Sequence, residues 1–131
     1  MFKTDVTIEQ LSREIVDFLS VHIRVSRMIL FGSYAYGRPR KDSDFDIAVI
    51  SPDLAEMNIL EKMELFAKAA IAVDSRIELK GFSVEKFLHP EQGSLLEMIK
   101  NSGKIIYPAI SGQDQKEGVR LIRSPAAQDQ P

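Results

Sequence analysis

The stretch Ser43-Asp44-Phe45-Asp46-Ile47-Ala48-Val49-Ile50 constrains this chain more than any other. Its second half is an apolar run closed by Ser51-Pro52, which reads as a buried strand over 45–50. A buried strand must be covered, so other elements have to pack on it. Its first half alternates instead. Alternation puts Asp44 and Asp46 on one face, about 6–7 Å apart at ~3.3 Å per residue, while Phe45 and Ile47 turn to a core.

The covering elements are legible on both sides. Thr7 through Gln10 fits a capping box, and Ile8, Leu11, Ile15, Phe18 and Leu19 recur at helical spacing, predicting a helix over 8–20. Residues 25–31 read as a strand ended by Gly32, with a short helical turn after Ser33 and a loop over 37–41. Asp53 is the expected cap of a long helix reaching about Ala72, with Leu60, Met63, Ala67, Ala70 and Ile71 on its inner stripe. The segment 75–80 alternates, Ile77 and Leu79 against Arg76, Glu78 and Lys80, and predicts another strand. Ser83 caps a short helix that Pro90 ends, and a last helix over 94–101 stops at Gly103 before the extended run 104–107. The order suggests an α/β layer, with helices covering a small sheet, over residues 1–108. Residues 109–131, with few apolar anchors, read as a disordered tail.

Composition narrows the function classes. The 131 residues suit one domain rather than two, at about 100–200 residues each. With 17 basic and 19 acidic residues the net charge is −2, so no general positive field invites nucleic acid. There is no cysteine, which removes disulfides, thiolate metal sites and cysteine nucleophiles. No apolar run approaches the ~20 residues of a membrane helix, and the N-terminus lacks a signal-peptide pattern. The expectation is a small soluble cytoplasmic domain.

The chemistry gathers between residues 32 and 46. Gly32-Ser33 ends a strand and opens a helical turn, where backbone N–H groups and a hydroxyl converge and phosphate can approach closely. Ten residues later come the paired aspartates. Two like charges side by side call for a cation between them, and two divalent ions about 3.5–4 Å apart would also grip a triphosphate. Hard oxygen ligands select Mg²⁺. Glu78, on the polar face of the 75–80 strand, supplies the third acid. Arg38, with Arg40 and Lys41, can draw in a triphosphate or an acidic partner. Each feature alone is commonly structural; their conjunction in this order points to nucleotidyl transfer. Tyr34 and Tyr36 read as packing or lining residues, and His22 and His89 as surface or capping residues.

At these residues the chain resembles the minimal nucleotidyltransferase (MNT) group of the DNA-polymerase-β-like superfamily, whose pattern is Gly-Ser, ten residues, then Asp-x-Asp. Gly32, Ser33, Asp44 and Asp46 match it without a gap, and the resemblance covers roughly 8–107. It implies a polymerase-β-like α/β (α+β) fold, a small mixed β-sheet with helices packed on it, and Mg²⁺-dependent transfer of a nucleoside monophosphate, AMP from ATP or another NTP, with release of pyrophosphate. Gly32 and Ser33, with Arg38, would bind the triphosphate; Asp44, Asp46 and Glu78 would hold two Mg²⁺ ions. It also implies a helical HEPN-type partner, in a homo- or hetero-oligomer, which the MNT protein silences as an antitoxin by adenylylating or binding it. Two positions depart from the pattern: tyrosines stand where relatives often carry an arginine, and Glu78 replaces a commoner aspartate. A second reading is an interaction protein that neutralises its partner by complex formation without catalysis, since a chain this short leaves no second domain to grip an acceptor.

Overall fold

The computed structural model describes residues 7–32 and 44–108. The expectations for the turn after Ser33, the 37–41 loop, Ser33 and Arg38 themselves, and the tail from 109 lie outside them. Within the described residues the order is helix α1 (Ile8–Leu19), strand β1 (Arg27–Phe31), strand β2 (Phe45–Ile50), a 3-10 segment (Pro52–Glu56), helix α2 (Ile59–Ala72), strand β3 (Ile77–Phe82), helices α3 (Val84–Leu88) and α4 (Leu95–Ser102), and strand β4 (Lys104–Tyr107). The strands form one sheet in the order β3-β2-β1-β4. β1 pairs antiparallel with β2 and β4, whereas β2 and β3 run parallel, so the sheet is mixed as expected.

Helices cover both faces of the sheet. One face carries Met28, Leu30, Phe45, Ile47, Val49 and Ile77, and buries Leu11, Ile15 and Leu19 of α1 with Leu65, Phe66 and Ala69 of α2. The other carries Ile29, Phe31, Ala48 and Ile50, packed by Phe87 of α3 and by Leu96 and Ile99 of α4. That second face is where β2 and β3 also turn Asp46 and Glu78. Each helix starts on a side-chain oxygen: Thr7 accepts from Gln10 N at 3.0 Å, Ser83 from Lys86 N at 3.2 Å, and Ser94 from Glu97 N at 3.1 Å. Among the described residues no helix is long and apolar enough to cross a membrane.

Three sequence expectations need correction. Asp53 does not cap a long helix. Ser51 Oγ accepts the Asp53 N–H at 3.0 Å and caps the start of a short 3-10 segment, and α2 begins afresh at a capping box between Asn58 and Glu61, with bonds of 2.9 and 2.8 Å. The Asp53 carboxylate instead clamps Arg24, accepting from its backbone N at 2.7 Å and from Nε and Nη2 at 3.1 and 2.7 Å. The inner stripe of α2 is also displaced: Leu60, Met63 and Ile71 are 74%, 62% and 83% exposed, while Leu65, Phe66 and Ala69 are buried. The Phe66 ring decides this, because it seats on the bare backbone of Gly81, where a Cβ would meet it at 2.8 Å. Finally, β3 runs two residues later than 75–80. Asp74 Oδ1 accepts the Arg76 N–H at 2.9 Å, which draws Ser75 and Arg76 into the turn before the strand.

Candidate active site

Register brings the acids together. In the parallel β2–β3 ladder Asp46 lies opposite Glu78, and in the antiparallel β1–β2 ladder it lies opposite Phe31. Residues opposite each other on neighbouring strands, about 4.8 Å apart, share a face. The α3–α4 layer covers the far end of that face through Ile50 and Ile29, and leaves Asp46 half-buried and Glu78 exposed at the near end. Asp44, just ahead of β2, is exposed as well.

Gly32 closes the site from β1. Its φ is +79°, which favours glycine, and a Cβ there would collide with Oδ2 of Asp46. The sequence offered close approach of a phosphate as the reason for this glycine. The structure supplies a second: no side chain fits between the β1 turn and the carboxylate.

The electrostatics are those of a site short of positive charge. Asp46 is held above the ordinary carboxylate range, first by its own burial, then by the charges of Glu78 and Asp44 and by a hydrogen bond with Glu78, with Lys80 pulling the other way. Asp46 and Glu78 are therefore brought together, and Asp44 stands near enough to act on Asp46. Among the described residues, however, no three acidic or histidine side chains are gathered as a ready-made metal cluster. Glu78 is instead turned to Lys80, with Nζ 3.5 Å from Oε2. Sequence reasoning passed over Lys80, although its alternation with Glu78 already placed both on one face. An all-oxygen donor set with surplus negative charge suits a hard divalent cation, so the chemistry of Asp44, Asp46 and Glu78 fits the ion the MNT resemblance implies.

Neither histidine joins this site. His22 stacks obliquely on Phe18 with ring centroids 5.5 Å apart, and His89 caps the C-terminal end of α3.

A half-covered mixed sheet presenting paired carboxylates at a glycine turn defines a nucleotide-transfer fold, and family comparison agrees. The polymerase beta nucleotidyltransferase family model matches residues 13–109, and the chain belongs to that family. A curated relative, the protein adenylyltransferase MntA of Shewanella oneidensis, is 38% identical over 56 residues, covering 43% of this chain and 39% of the relative. The match thus spans well under half of that protein. A solved toxin–antitoxin structure with AMP-PNP superposes with a TM-score of 0.52 at 26% identity, covering 84% of this chain and 82% of that one. A structure of a tri-AMPylated HEPN toxin of Shewanella oneidensis in complex with its MNT antitoxin superposes with a TM-score of 0.50 over 88% of this chain and 84% of that one; at 24% identity it speaks to the fold.

Proposed function

We propose that this domain moves AMP from ATP onto a hydroxyl of a HEPN-type partner protein, as the antitoxin of a toxin–antitoxin pair. The observation that carries this reading is the placement of Asp46 opposite Glu78, against Gly32, in a chain of the polymerase beta nucleotidyltransferase family. The adenylyltransferase relative and the AMP-PNP-bound toxin–antitoxin structure support AMP transfer and a protein partner; the HEPN class follows from the MNT resemblance. A cytoplasmic setting goes with ATP as donor.

The residues divide the work. Gly32 leaves the backbone at the end of β1 bare for the phosphates, Ser33 is assigned to them by the same motif, and Arg38 would supply the cation that relatives often carry as an arginine where this chain has tyrosines. Asp44 and Asp46, with Glu78, would hold Mg²⁺, two ions in the family's scheme. Bound there, Mg²⁺ neutralises phosphate charge and acidifies the attacking hydroxyl. Glu78 would complete the site for the ion that acidifies the acceptor hydroxyl, or take that hydroxyl's proton itself. The half-covered face admits both nucleotide and acceptor, and positioning with electrostatics supplies most of the acceleration.

The test mixes the full chain with its HEPN-type neighbour, Mg²⁺ and α-labelled ATP. Label is expected on the partner with the wild-type chain, and Asp44→Ala or Asp46→Ala should abolish it. Transfer undiminished in both variants would refute the assignment. A stable but unlabelled complex would favour the reading of a binder that silences without catalysis.

A further inference from the structure

Lys80 belongs to the same face as the acids and has no place in the motif that identifies them. It sits two residues beyond Glu78 on β3, opposite Ala48 of β2. Ala48 itself is buried in the core under the α3–α4 layer, whereas Lys80 and Glu78 lie at the sheet's open edge, 40% and 51% exposed. The ammonium reaches back to Glu78 at 3.5 Å and lies close enough to Asp46 to oppose the two carboxylates acting on it. Among the described residues it is the one cation that acts on Asp46.

We propose that Lys80 is the internal counter-ion of the carboxylate pair, holding Glu78 in the nucleotide-free site and keeping that site from loading a divalent ion before nucleotide arrives. With Lys80 beside them, Asp46 and Glu78 carry a net charge of minus one rather than minus two, less than the bare pair would offer an ion. A divalent cation entering beside Asp46 meets both the repulsion of Lys80 and a Glu78 carboxylate already engaged. A triphosphate changes that balance, because its oxygens can take the ammonium and release Glu78. Ion loading is then coupled to nucleotide, which guards the acids from occupancy without substrate. Lys80 is thus a positioning residue acting through Glu78. This inference rests on the metal-binding role proposed for Asp44, Asp46 and Glu78.

The experiment titrates Mn²⁺ into the full chain without nucleotide, by calorimetry with electron paramagnetic resonance as a cross-check. A unit charge a few ångström from a divalent ion changes binding by about tenfold even in a water-like dielectric. Lys80→Met and Lys80→Gln should therefore bind Mn²⁺ at least tenfold more tightly than wild type, while Lys80→Arg, which keeps the charge, should match wild type. Adding Asp46→Asn to Lys80→Met should erase the gain. Both neutral variants are checked for native circular dichroism, and a misfolded chain would lose affinity rather than gain it. Unchanged or weaker binding in folded Lys80→Met and Lys80→Gln overturns the proposal, as does a gain that survives Asp46→Asn. Loss of transfer in Asp44→Ala and Asp46→Ala is a separate readout, so the catalytic reading can stand when the counter-ion role falls.

Discussion

The substitution Asp46→Asn keeps the shape of a side chain pressed against Gly32 and removes one charge from a face where Asp46 and Glu78 stand opposite each other beside one lysine. Asp46 is half-buried and faces Glu78 directly across the parallel ladder. Like charges directly opposite on neighbouring strands cost about 0.2–1 kcal/mol. With solvent and Lys80 screening part of the repulsion, the ion-free protein should gain roughly 0.2–0.5 kcal/mol. For a domain of this size that is a rise of about 1–3 °C in Tm.

The pH dependence has a definite sign. The folded protein holds Asp46 above its ordinary pKa of about 3.9, so the fold favours the protonated acid. That favourable contribution is complete below the unfolded pKa and is lost as pH rises through the higher folded value. The gap between asparagine variant and wild type should accordingly be absent in acid, open as the pH rises and be full near neutrality. Urea and thermal unfolding in EDTA, from acid to neutral pH, measure it. A variant that melts at or below wild type at neutral pH, or a gap that persists unchanged in acid, would refute the argument that these carboxylates strain one another.

Two more expectations concern the frame around the site. Gly81→Ala pushes a methyl group into Phe66 and Leu54, whose atoms stand 2.8 and 2.7 Å from the Cβ position, and overpacking of this kind costs about 1–3 kcal/mol; an unchanged urea midpoint would show that Phe66 is not what turns α2. Arg24 holds the Asp53 carboxylate down to about 2, so this pair's support of the fold is present above the ordinary carboxylate pKa and is lost as pH falls toward 2. In Arg24→Ala a carbon-detected titration should return Asp53 to the ordinary carboxylate range, and a value that stays low would point to another partner.

Much of the architecture was legible in local pattern. The apolar run of β2 and the alternation of β3 each mark their strand without reference to anything distant, and the hydroxyls of Thr7, Ser83 and Ser94 mark helix starts because a cap is a contact three residues long. The spacing from Gly32 to Asp44 and Asp46 carried the chemistry in the same way. What the chain could not announce locally was which neighbour each element would meet. α2 begins at Asn58 and shows Leu60 and Met63 to solvent because Phe66 needs the bare surface of Gly81, a partner on another strand. Asp53 bonds Arg24, twenty-nine positions earlier, rather than a helix end. Composition and spacing by themselves determined most element types, a small sheet covered by helices and the candidate acids. Only the tertiary structure decided that Asp46 faces Glu78 and that Gly32 is pressed on Asp46, because strand register is set by cross-strand packing between segments far apart in the chain.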